Sequence, residues 1–132
     1  MFNRLQVGVL PPGHRWPAQA QLRIDGEDAV AQLMGEGGRG PLADDVLPPG
    51  GLGPLWATGE GRRVELGEPE CTGGCCGFLS VFVQRHGDVV EWSDWQTPGD
   101  EPRPPEFHFE ADLYDAELTR ALAERRRQLP TA

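Results

Sequence analysis

Phe78-Leu79-Ser80-Val81-Phe82-Val83-Gln84-Arg85-His86-Gly87-Asp88-Val89-Val90-Glu91-Trp92-Ser93-Asp94-Trp95 is the stretch that decides the fold. β-Branched and aromatic residues fill two arms around Gly87-Asp88, a dipeptide suited to a two-residue type II′ turn. That turn sets Arg85 opposite Val90 and Val83 opposite Trp92. Alternation then places Leu79, Val81, Val83, Val90 and Trp92 on one face, with Ser80, Gln84, Glu91 and Ser93 on the other. A three-residue loop would set Val83 against Glu91 and mix the faces, so the two-residue register is expected. The second face also holds Phe78, Phe82, Val89 and Trp95, rings and branches that call for a cover, from the C-terminal helix or a second sheet. Trp92 and Trp95 are expected on opposite faces, hence no shared stacking platform.

Working outward, residues 98–105 form a polar, proline-rich link, and Phe107 and Phe109 then alternate with Glu106, His108 and Glu110 as a short strand. Residues 111–129 follow as a helix. Tyr114, Leu118, Ala121, Leu122 and Leu129 make its apolar stripe, arginines occupy its last turns, and Pro130 lies beyond. Upstream, Val64 and Leu66 mark a short strand. Leu5, Val7 and Val9 alternate before the breaker Pro11-Pro12-Gly13, and Leu22 and Ile24 alternate before the turn residues Asp25-Gly26-Glu27. Ala29 and the residues up to Leu33 are expected to return as the second arm of a hairpin, with a short helix over 28–34 as the rival. Residues 35–61 are dense in Gly and Pro and read as a long loop within the domain, anchored only by Val46, Leu47, Leu52, Leu55 and Trp56.

These elements define an α+β protein, mainly antiparallel sheet of about six or seven strands closed by one C-terminal helix. The 132 residues suit a single domain over 1–132. Twelve basic residues against 21 acidic ones give a formal charge of -9, which repels a phosphate backbone, so nucleic acid is not an expected partner. Arg125, Arg126 and Arg127 are the one basic cluster, and their place in the last helical turn complements the helix dipole. No apolar run has the length of a signal peptide or a membrane span, so a cytoplasmic protein with no membrane contact is expected. Three cysteines, an odd number, argue against a disulfide framework.

The run Cys71-Thr72-Gly73-Gly74-Cys75-Cys76-Gly77-Phe78, the Gly87-Asp88-Val89-Val90-Glu91-Trp92 hairpin, Phe107-His108-Phe109 and the helix opening Tyr114-Asp115-Ala116-Glu117 together carry a resemblance. They resemble a family of short uncharacterised proteins of high-GC Gram-positive bacteria. The resemblance spans about the C-terminal half of the chain, more weakly the turn at Asp25-Gly26, and implies an architecture and a cysteine cluster but no mechanism. This chain has residues 125–130 where that family has a Trp-rich ending.

The cysteines are the candidate metal ligands. Cys71 and Cys75 flank a glycine knuckle within the spacing zinc tolerates, and Cys76 is a third thiolate if the chain bends sharply there, because adjacent extended residues face opposite ways. His86 lies ten residues past Cys76 along a strand, roughly 33 Å away at about 3.3 Å per residue, and is excluded. His108 or His14 remains as the fourth ligand. Against zinc or redox chemistry stands plain burial of thiols, the expectation here, so no cofactor is assigned. His108 between two phenylalanines is given no role without a neighbour. There is no nucleophile elbow, no H-E-x-x-H and no P-loop, so no catalytic residues are assigned. The leading expectation is therefore a non-catalytic protein-interaction or accessory module, with the long loop presenting Leu55-Trp56 to another protein. A zinc or redox module on Cys71, Cys75 and Cys76 is the alternative, and a small ligand-binding domain or enzyme with its site between loop and sheet is the third.

Overall fold

A computed structural model describes residues 2–14, 16–34, 38–69, 77–98 and 102–128, which form two antiparallel sheets and three helices. Strands β1 (Leu5–Leu10) and β2 (Gln19–Ile24) pair as one ribbon, with Leu5 opposite Ile24 and Leu10 opposite Gln19. Strands β3 (Arg62–Gly67), β4 (Leu79–His86), β5 (Val89–Gln96) and β6 (Phe107–Glu110) form a four-stranded sheet in chain order. The helices are α1 (Ala29–Met34), α2 (Ala43–Val46) and α3 (Ala111–Gln128). The protein is thus α+β, with six strands among the described residues. Both sheets and all three helices contribute to one cluster of buried apolar side chains. No helix among the described residues is long and apolar enough to cross a membrane.

The β4–β5 hairpin has the expected register, with Arg85 opposite Val90 and Val83 opposite Trp92. Gly87 at φ 60° occupies the turn position that favours glycine, while Asp88 keeps a negative φ, as a type II′ turn requires. Leu79, Val81, Val83, Val90 and Trp92 share the inner face and are fully buried. Phe107 and Phe109 extend that face onto β6, their rings 6.4 Å apart.

Trp95 departs from the expectation of opposite faces. Phe82 pairs with Ser93 and Ser80 with Gln96, so β5 carries one residue more than β4 across this interval. Asp94 takes up the extra length with a left-handed φ of 50°, a conformation that aspartate tolerates better than most residues. The bulge inverts the alternation. Trp95 therefore turns inward beside Trp92, ring centroids 6.2 Å apart, and its Nε1 donates to the Pro105 carbonyl at 3.0 Å.

Nor is the second face covered by the helix. Tyr114, Leu118, Ala121 and Leu122 are buried on the core side of α3, and Tyr114 reaches the inner-face Trp92. The outer face stays open among the described residues: Phe78 is 44% exposed, and Phe82 is half-buried against Gly61, where a Cβ would lie 2.6 Å from its ring. Leu129, expected in the helical stripe, lies outside the described residues.

Two further expectations are corrected. Residues 29–33 are not a strand but the short helix α1. The Asp25-Gly26 turn lets Glu27 bridge Ile24, after which the Asp28 carboxylate accepts the Ala31 N–H at 2.9 Å and starts the helix. Val30 and Met34, four apart, then share one buried helical face, and β2 takes β1 as its partner instead. In the 35–61 segment, Leu55 is fully buried, so it is not presented to a partner, and Trp56 is half-buried. Leu47 is buried as well, and α2 lies within the segment. The pin is Tyr114, whose hydroxyl donates to the Leu55 carbonyl and accepts from Trp92 Nε1 at 3.2 Å. Burial pushes the Tyr114 phenol above its usual range, helped by the charge of Asp115 and opposed by the Trp92 hydrogen bond. At its far end α3 is tied to α2 by an ion pair of Arg125 with Asp44, 2.7 Å.

The outward edge of β1 is occupied by side chains. Glu117 accepts the Val7 N–H at 2.7 Å and Arg120 donates to the Val7 carbonyl at 2.6 Å, so an ion pair on α3 stands where a neighbouring strand would. Burial acts to raise the Glu117 carboxyl, but the hydrogen bonds from Arg120 and Val7 outweigh it and hold the group below its usual range.

Candidate functional site

Period-two alternation and the registers of three adjacent strands gather polar side chains on the open face of the four-stranded sheet. On β4, Gln84 stands opposite Glu91 of β5, and Glu91 stands opposite His108 of β6. His86 lies two residues along β4 on the same face, and Glu106 two residues before His108. His108 Nε2 is 3.2 Å from Glu91 Oε2, and His86 Nε2 is 3.8 Å from Glu91 Oε1. One ligand atom from each of Glu91, Glu106 and His108 lies within 4.8 Å of the other two. Glu91 is thus a carboxylate held between two imidazoles, with a second carboxylate beside it.

The backbone beneath this group is fixed on both sides. The hairpin holds β5, and Asn3 clamps the outer edge of β6: its N–H donates to the His108 carbonyl at 2.7 Å and its Oδ1 accepts the His108 N–H at 2.9 Å. The side chains themselves face water, His86 at 54% exposure, His108 at 45% and Glu91 at 27%. Such a group has hard oxygen and borderline nitrogen donors on a rigid base, suited to holding a cation. Among the described residues it has no enclosing walls that would exclude water, as an enclosed active site has. Elsewhere on the same face two acids are neutralised by arginine: Glu65 by Arg39 at 2.9 Å and Asp94 by Arg63 at 2.6 Å.

Of the expected metal ligands, Cys71, Cys75 and Cys76 lie outside the described residues. His14 is exposed in the connection between β1 and β2. His108 has the neighbours that its sequence context did not reveal: Glu91, Glu106 and, across Glu91, His86. The hairpin register was enough to put Glu91 on the open face, but the pairing of β5 with β6 was needed to bring His108 to it. A separate cleft of about 500 Å³ lies between β1 and α3, lined by Arg4, Gln6, Leu113, Tyr114, Glu117 and Arg120. Leu113 there is 62% exposed. No family model, curated protein or solved structure matches the chain.

Proposed function

We propose that the chain acts without catalysis, as a small interaction module that offers the open face of its four-stranded sheet to a protein partner bearing net positive charge. One observation carries this reading: the face combines partly exposed Phe78 and Phe82 with the acids Glu91, Glu106 and Glu110, in a chain whose formal charge is -9. Aromatic rings supply contact area at low entropic cost, and a rim of one charge sign steers an oppositely charged partner. Leu55, buried in the core, is not available for a contact through the long loop, which supports a reading centred on the sheet.

A photo-crosslinking amino acid at position 78, with another at position 113 as control, tests this in the producing cell. A discrete adduct is expected from position 78. The protein identified in it, purified, should bind the wild-type chain, weaken by about tenfold or more with Glu91→Lys, and weaken as salt rises. An adduct from position 113 alone, or salt-independent binding, overturns the proposal.

A further inference from the structure

We propose that Glu91, Glu106 and His108, with His86 as fourth ligand, form a binding site for a divalent transition-metal ion of the zinc class. The site does not depend on a protein partner. Tetrahedral coordination at about 2.1 Å sets ligand atoms roughly 3.4 Å apart. The His108 Nε2 to Glu91 Oε2 separation of 3.2 Å is already close to that value, and all three donors of the core group fall within 4.8 Å. Since these side chains face solvent, the remaining approach needs rotation about side-chain bonds and no movement of the core.

The charges point the same way. Glu91 and Glu106 are brought together with no arginine on either, among the described residues, whereas Glu65 and Asp94 on the same face each have one. A cation bound between the two carboxylates would supply the positive charge that arginine supplies to Glu65 and Asp94. Imidazole nitrogen in the donor set favours zinc, nickel or copper over calcium and magnesium, which take oxygen alone. His86, Glu91 and His108 stand on three hydrogen-bonded strands, with Glu106 immediately before the last of them, so the backbone of the site is preorganised. Its nitrogen and oxygen donors distinguish it from a thiolate site at Cys71, Cys75 and Cys76.

The test is calorimetric titration of the metal-stripped full chain with zinc ion, for wild type, His108→Ala, Glu91→Gln, His14→Ala and a triple Cys71→Ser, Cys75→Ser, Cys76→Ser variant. Circular dichroism confirms that each variant is folded. One zinc per chain is expected, weakened by about tenfold or more in His108→Ala and in Glu91→Gln, and unchanged in His14→Ala and in the triple variant. With cobalt ion in place of zinc, the triple variant should keep the visible bands of a bound ion without a thiolate charge-transfer band. Imidazole resonances of His86 and His108, and not of His14, should shift on zinc addition. Equal zinc affinity in wild type and His108→Ala, loss of binding in the triple variant, or no binding at all overturns the site.

Discussion

The two faces of the four-stranded sheet are built from the same strands and the same backbone hydrogen bonds, yet they have opposite characters. The inner face is a closed aromatic and aliphatic layer, with Trp92 edge-on to Trp95, Phe109 and Tyr114. The outer face exposes Phe78, the two imidazoles and the carboxylates Glu91 and Glu106, which no arginine meets among the described residues. Packing density selects residues inside, where each side chain is determined by its neighbours. Outside, no packing requirement calls for two imidazoles around a carboxylate. The lesson is that stability and recognition are divided between alternate residues of one strand.

The division can be broken at the centre of the inner face. Trp92→Ala should cost about 3–5 kcal/mol in chemical unfolding, because the cavity cannot close against β6 and α3. A cost near that of a surface change would mean that the inner layer is not the core. Tyr114→Phe should cost less, about 1–3 kcal/mol, since it leaves the Leu55 carbonyl and the Trp92 indole N–H buried without their partner. Faster proteolysis around residue 55 should accompany that loss; unchanged stability and unchanged cleavage would show that the hydroxyl does not pin the segment. The smallest effect belongs to the outer face, where Phe78→Ser should change stability by about 0.5 kcal/mol or less. A cost comparable to that of Trp92→Ala would sink the comparison, because the open face would then be covered in the isolated chain.

The hairpin was legible in sequence because turn chemistry and alternation agree on one register. The stripe of α3 was legible because Tyr114, Leu118, Ala121 and Leu122 recur at helical spacing. Residues 29–33 were misread because a short apolar run satisfies strand and helix alike, and the Asp28 cap decided between them. Order in the long segment was hidden for a different reason. Its anchor is a hydroxyl on Tyr114, 59 positions from Leu55, and no local pattern announces such a bond. The outer-face group was half legible: Glu91 was assigned to the right face, but His108 became its neighbour only through a strand pairing across a proline-rich link. The cysteines drew attention because their spacing is local, whereas the imidazole and carboxylate group is assembled by topology.

The bulge at Asp94 shows that β5 changes phase partway along its length. Before it, even-numbered positions such as Val90 and Trp92 point inward; after it the odd-numbered Trp95 does. A strand arranged in this way depends on the backbone conformation of one exposed residue as much as on its buried side chains. Were Asp94 drawn into regular extended geometry with the strand length unchanged, Trp95 would turn to the solvent side and Gln96 into the aromatic layer, without altering the chemistry of either side chain. For any redesign of this sheet, the left-handed residue at position 94 is therefore as much a specification of the core as the identity of its tryptophans.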